Sequence, residues 1–304
     1  MGEASSIEAM AVVVTGASGL VGRAAVAAFA RRFPGVRGLV RRREVAEPLR
    51  ALGAKVAVGD IDDLGTLETV MRGAHTVCHL VGGLNFPDET SYEQANLVSV
   101  QRALAAARRA NVRRFLFLSY VGADPGSANP FLRAKGMAER EVAASGLEHT
   151  IVRSTHIYGV GGEWFADIVE GTTRDPALVV GSGEQVVAPI FVDDVAAVLA
   201  AADDRSGPVS GTWGLEGPER LTADAFADLL AEEPREKRHL PPDRADELSR
   251  LLDRPVSGTA VEVMASDSLA DDADAAAEFG VERTPLRVGL DRTMERAFEA
   301  GLER

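Results

Sequence analysis

The chain has a single cysteine in 304 residues, Cys78, so no internal disulfide can staple it. That residue lies in the apolar run Val77-Cys78-His79-Leu80-Val81, where a thiol packs as a small hydrophobe, and we expect a reducing, cytoplasmic compartment. Long apolar runs are missing too. Nowhere do roughly 18 consecutive apolar residues occur, the length a membrane span needs, and the first ten residues carry Glu3 and Glu8 without the apolar core of a secretory signal. Basic charge is in deficit: 33 Lys and Arg stand against 46 Asp and Glu, a net charge of −13. Such a surface repels polyanions, so neither nucleic acid nor an acidic membrane is an expected partner. Of that excess, all but three negative charges fall in residues 211–304, so the two parts of the chain are built differently.

What is present is an ordinary globular composition, 46% hydrophobic and 26% charged, on a chain long enough to fold alone around one large core. Short runs rich in Val, Ile, Leu and Phe recur at Ala11–Thr15, Val36–Val40, Ala54–Val58, Thr76–Val81, Phe115–Ser119 and Thr150–Arg153. Between them lie amphipathic helical patterns at Val21–Arg32, Leu64–Met71, Ser91–Ala110 and Phe131–Ala144. Strands that are apolar on both faces and alternate with helices require a parallel sheet covered on both sides. The fold class is α/β, a doubly wound parallel sheet with a small C-terminal mixed lobe. After about residue 155 the rhythm loosens into glycine turns (Gly159–Gly162, Gly181-Ser182-Gly183) and helix-like stretches at Val192–Ala201, Thr222–Ala231, Arg244–Leu252 and Leu290–Ala300. We expect an N-terminal tail (1–10), a nucleotide domain (11–155), and a mixed region (156–304) that completes the sheet and forms a substrate lobe. A small molecule belongs in the cleft between the parts.

The strand Val12-Val13-Val14 runs into Thr15-Gly16-Ala17-Ser18-Gly19-Leu20-Val21-Gly22 and then into a helix. Glycines permit that sharp turn and the close approach of backbone to a pyrophosphate, while the helix start offers free N–H groups and the positive end of its dipole. A dinucleotide is expected there. Sites for NAD place a carboxylate about 20 residues after such a turn. Here Arg41, Arg42 and Arg43 follow the second strand, and forked guanidinium donors suit a 2′-phosphate, so NADP(H) is the expected cofactor, with Arg41 foremost. Gly59-Asp60-Ile61 places Asp60 and Ile61 at the carboxyl edge of the sheet beside the adenine; Asp60 could equally cap the helix beginning near Asp63.

These residues resemble the extended or atypical short-chain dehydrogenase/reductase superfamily, with its Rossmann-like fold. The likeness rests on Thr15-Gly16-x-x-Gly19-x-x-Gly22, Val36–Arg42, Gly59–Asp63, Asn96, Leu118-Ser119, and Ile151-Val152-Arg153 followed by Ile157-Tyr158-Gly159. The stretch Val121–Pro125 through Phe131–Lys135 is similar to the NAD(P)H-binding branch that includes the NADPH-carrying accessory subunit of respiratory complex I, a branch of reductases and of proteins that hold the cofactor without known chemistry. The resemblance implies a cofactor set of Thr15, Gly16, Ser18, Gly19, Leu20, Val21, Gly22, Arg41, Arg42, Asp60, Ile61, Val81, Gly82 and Lys135. It also implies a proton relay of Ser, Tyr and Lys, in which Ser119 and Lys135 match and the tyrosine position is Phe131. A phenyl ring has no proton to give.

Three outcomes follow. Lys135, desolvated beside Phe131, shuttles the proton, as in members similar to isoflavone-type reductases. Alternatively another donor replaces the tyrosine: His156 ahead of Tyr120 and Tyr158, because adjacent strand residues such as Ser119 and Tyr120 point to opposite faces. In the third outcome no hydride chemistry occurs and Lys135 only bonds the ribose. The expected function is thus an NADP(H)-dependent reductase acting on a small apolar carbonyl or conjugated double bond. The alternatives are an NADPH-binding scaffold or redox sensor and, third, a sugar-nucleotide epimerase. His75 and His79 sit in a strand, where their i, i+4 spacing makes no metal pair, and no metal is expected. Asp193 and Asp194 read as helix caps, Trp164 and Phe165 as a pocket wall or core. A monomer or homodimer is expected.

Overall fold

The computed structural model describes residues 11–203, 210–231 and 234–301; the expected tail 1–10 lies outside them. The nucleotide half reads β1 (Ala11–Thr15), α1 (Leu20–Arg32), β2 (Val36–Val40), α2 (Ala46–Ala51), β3 (Lys55–Val58), α3 (Leu64–Met71) and β4 (Ala74–His79). Next comes α4, which spans Glu89–Glu93, one π-helical turn Gln94–Val98, and Ser99–Arg109; then β5 (Arg114–Tyr120), α5 (Pro130–Ala143) and β6 (Glu148–Ser154). The second half reads β7 (Ile157–Tyr158), α6 (Glu163–Thr172), β8 (Ala177–Val180), β9 (Val186–Val187), β10 (Ile190–Phe191), α7 (Val192–Ala202), β11 (Ser210–Leu215), β12 (Leu221–Thr222), α8 (Ala223–Leu230) and β13 (Lys237–Leu240). The tail ends with α9 (Ala245–Leu251), α10 (Gly258–Met264), α11 (Ala275–Glu278) and α12 (Leu286–Glu299).

Seven strands form one sheet in the order β11-β6-β5-β4-β1-β2-β3, every neighbour parallel. The period of two along β1 explains its layers. Val12 and Val14 face one core with Phe29 of α1 and Leu199 of α7, while Val13 faces the other with Leu104 of α4 and Ala138 of α5. All these side chains are buried, so neither face of β1 meets water. The strand order reverses between β1 and β4, with β2 and β3 added on one side of β1 and β4 on the other, which creates the switch point at which parallel sheets of this kind open a crevice at the carboxyl ends of their strands.

The C-terminal lobe packs as two smaller cores. Leu178 and Val180 of β8, paired in parallel with β13, meet Leu248 and Val261 of α9 and α10. Tyr158, Phe191, Leu286 and Leu290 form the other. The two aspartates that open α7 do not cap it: the cap residue is Phe191, without a side-chain bond. Asp194 instead accepts from the Thr284 backbone N–H and hydroxyl, both at 2.8 Å, and Asp193 pairs with Arg296 at 2.6 Å. Both reach past the helix start, Asp194 to the segment that leads into α12 and Asp193 to the last turn of α12 itself. No helix among the described residues is long and apolar enough to cross a membrane.

Candidate functional site

A two-part cleft crosses the carboxyl edge of the sheet. The outer part, about 520 Å³, lies over β1, β2 and β3; the inner part, about 450 Å³, lies over β4, β5 and β6. Gly19, Leu80, Val81, Gly82 and Phe86 border both, so the two form one trough.

The glycine turn shapes its floor. Gly16 adopts φ +69°, and a β-carbon there would stand 2.7 Å from the Leu80 carbonyl oxygen; at Gly22 it would stand 2.1 Å from the Gly16 carbonyl oxygen. Only hydrogen fits at either position. Helix α1 follows Gly19 with no side-chain cap and no acidic residue in its first turn, so the free N–H groups and positive dipole end are left for an anion. Ser18 lines the outer part with Arg41, Asp60 and Ile61, and Leu20, Val21 and Gly22 line the inner part. Among the described residues, Arg41 is the only Lys or Arg on the outer wall. Two expected residues stand apart. Thr15 is buried, with its hydroxyl 3.0 Å from His79 Nδ1 beneath the trough, and Arg42 is an exposed residue off the wall. Asp60 does not cap α3: its Oδ1 accepts from Asp62 N–H at 3.0 Å, while Asp63 accepts from Gly65 N–H and is the cap.

Ser119, Phe131 and Lys135 meet in the inner part. The Ser119 hydroxyl is buried without a hydrogen-bond partner among the described residues, an arrangement proteins seldom leave unsatisfied. Lys135 Nζ donates to the Leu118 carbonyl at 3.0 Å and lies 4.9 Å from the centre of the Phe117 ring. Burial lowers its pKa to about 8 against the opposing pull of Glu139, so it titrates near neutrality. A buried ammonium and an orphaned hydroxyl facing one apolar trough fit a dinucleotide and a polar substrate atom.

His156 also lines the inner part, but burial drives its pKa down to about 3, so it is a neutral imidazole. Its ring stacks on Trp164 at 4.3 Å and 9°, and both its nitrogens lie within 3.2 Å of the Tyr120 hydroxyl. Tyr120 reaches the same trough as Ser119, against the expected alternation, because β5 ends at Tyr120 and the chain turns away after it. Tyr158 does not reach it: its hydroxyl bonds the Leu286 carbonyl inside the core, where Phe165 is also buried. Trp164 does form a wall.

Sequence reasoning missed Ser268, whose hydroxyl lies 3.1 Å from that of Tyr120. It also missed the clasp over the trough. Asn85 Nδ2 donates to the Pro255 carbonyl and its Oδ1 accepts from Ser257 N–H, both at 2.9 Å, and the Tyr92 hydroxyl meets Ser257 Oγ at 2.7 Å. Single polar residues more than a hundred positions apart leave no local pattern. Among the described residues no three His, Cys, Asp or Glu side chains gather as a metal site.

A doubly wound sheet with this glycine turn and trough defines a dinucleotide-binding protein. The family described as NAD(P)H-binding matches residues 16–204, and the chain belongs to it. A ceramide reductase of Caulobacter vibrioides is 33% identical over 190 residues, 62% of this chain and 60% of that protein. Subunit 9 of the NADH dehydrogenase [ubiquinone] 1 alpha subcomplex of Arabidopsis thaliana is 28% identical over 239 residues, 75% of this chain and 59% of that protein. The chain thus spans about three fifths of the length of either relative. Triphenylmethane reductase of Citrobacter sp., solved with NADP(H), shares the fold: TM-score 0.77, 18% identity, 93% of this chain and 99% of that one.

Proposed function

We propose that the protein is an NADP(H)-dependent reductase of a small, apolar carbonyl compound or conjugated double bond. The observation that carries this reading is the unpartnered Ser119 hydroxyl beside the low-pKa Lys135 at the inner end of the trough. Arg41, which follows β2 where NAD sites carry a carboxylate, favours a 2′-phosphate over a bare ribose hydroxyl. Gly16, Ser18, Gly19, Leu20, Val21 and Gly22 hold the pyrophosphate, Asp60, Ile61, Val81 and Gly82 the flanking rings, and Lys135 the inner ribose. When bound, the cofactor supplies a hydride. Ser119 donates its hydroxyl hydrogen to the substrate oxygen, and Lys135 delivers a proton from Nζ, a role its near-neutral pKa suits and the neutral His156 does not. A reductase among the relatives, and one among the solved structures of the same fold, supports the class.

Phe131 favours a second reading, a scaffold that holds NADPH without using it, in keeping with the complex I relative. Following NADPH oxidation at 340 nm with a panel of ketones, aldehydes and enones decides between them. Turnover by the wild type that Lys135→Met abolishes supports the reductase. A silent wild type, together with turnover gained on Phe131→Tyr, makes the protein a cofactor holder.

A further inference from the structure

The hydroxyl of Tyr120 has three neighbours: His156 Nε2 at 3.1 Å, His156 Nδ1 at 3.2 Å and Ser268 Oγ at 3.1 Å. A phenol has one proton and two acceptor positions. Ser268 Oγ accepts from the His156 backbone N–H at 3.3 Å and keeps its own hydrogen, which it can donate to Tyr120. The ring nitrogen of neutral His156 that carries hydrogen can donate to the same phenol oxygen, while the bare nitrogen is an acceptor. In the arrangement where His156 and Ser268 both donate, the acceptor positions are filled and the phenol proton turns to an oxygen in the trough that Tyr120 lines. Ser268 is fully buried and backed by the main chain: its N–H donates to the Val186 carbonyl at 2.9 Å and its carbonyl accepts from Ala188 N–H at 3.2 Å. The donor is therefore rigidly held.

Flat rings surround that proton. The Tyr120 ring meets Phe131 edge-on at 5.4 Å, His156 stacks on Trp164, and Trp164 stacks on Phe226 at 5.9 Å and 8°. Among the described residues, Lys135 and Glu163 are the only charged side chains on the inner wall, so the wall offers no net positive charge to a diphosphate as a sugar nucleotide requires.

We propose that Tyr120 docks the oxygen of an uncharged, planar aryl ketone or aryl enone, with Ser268 as the positioning residue that aims the phenol. This deepens the reductase reading and rests on it. The probe is 4-phenylbut-3-en-2-one, titrated by calorimetry into protein saturated with NADP⁺, where no turnover occurs. The oxygen-free, conjugated 3-methyl-1-phenylbuta-1,3-diene is the control. Tyr120→Phe should weaken the enone by about tenfold, the worth of one hydrogen bond, and leave the hydrocarbon and NADP⁺ affinities unchanged. Ser268→Ala should weaken the enone about threefold, and Ser268→Thr, which keeps the hydroxyl, should restore it. Equal affinity of wild type and Tyr120→Phe for the enone overturns the proposal. So does equal loss for enone and hydrocarbon, which would mean a damaged pocket, and so does a wild type that does not bind the enone. Failure of the reductase reading looks different: the enone binds in a Tyr120-dependent way, yet neither it nor any panel compound oxidises NADPH.

Discussion

The carboxamide of Asn96 stands where a β-carbon on residue 82 would have to be: Gly82 has φ +143°, and a β-carbon there would lie 2.6 Å from Asn96 Oδ1. Asn96 sits in the π-helical turn of α4, a distortion often found at functional sites, and its amide spans Gly83 N–H and C=O at 3.2 Å each. One buried side chain thereby shapes the segment that borders both parts of the trough.

Gly82→Ala should therefore push Asn96 off Gly83 and narrow the trough. We expect NADPH affinity to fall at least about tenfold and stability by about 1–3 kcal/mol, the usual cost of a forced backbone conformation. Cofactor fluorescence titration and urea denaturation check this; unchanged affinity would show that the segment does not bear on the cofactor.

Arg41→Glu should weaken NADPH by about 1.5–3 kcal/mol or more, the worth of one charged hydrogen bond, while leaving NADH nearly as before. Added salt should narrow the NADPH preference of the wild type. Parallel titrations of both cofactors test this, and equal losses would sink the 2′-phosphate assignment.

Lys135 gives two pH signatures of known sign. Turnover should decline as pH rises through about 8, where the ammonium loses its proton. Stability should move the other way. Burial holds the folded pKa near 8, below the 10.5 of an ordinary lysine, so between those values the unfolded chain binds more protons and unfolding becomes harder as pH rises. Denaturation of the wild type and Lys135→Met from pH 7 to 10.5 checks it: the mutant should lack that rise.

Asp194→Ala removes both acceptors of Thr284 and should cost about 1–3 kcal/mol, because two donors in a half-buried pocket lose their partner. Asp193→Ala breaks an exposed pair with Arg296 and should cost under about 1 kcal/mol. Denaturant midpoints compare the two, and equal effects would contradict the tethering role.

The first six sheet strands and the glycine turn could be read from the sequence because their signals are local. Val12-Val13-Val14 and Phe115–Ser119 are continuous apolar runs, and a glycine turn between strand and helix has few other meanings. Strand β11 escaped notice: Ser210-Gly211-Thr212-Trp213-Gly214-Leu215 carries two glycines and no steady alternation, and it earns its place only by pairing with β6. Alternation of faces holds inside a strand and weakens at its last residue, which is where Tyr120 stands. Ser268 gave no sign at all, because its role depends on a tyrosine 148 positions away. Asp194 looked like a cap because position alone predicts capping, whereas its partner Thr284 lies 90 residues downstream.

The parallel pairing of β6 with β11 bears on how the chain is made. A ribosome finishes β6 at Ser154 some 55 residues before it reaches Ser210, so the nascent sheet carries a bare edge during that interval. Such an edge invites pairing with another chain. The glycine turn and Arg41 have already emerged by then, while Ser268 has not. During synthesis the cofactor half of the trough is complete before the substrate half, and early capture of the dinucleotide would steady the growing sheet before its last strand arrives.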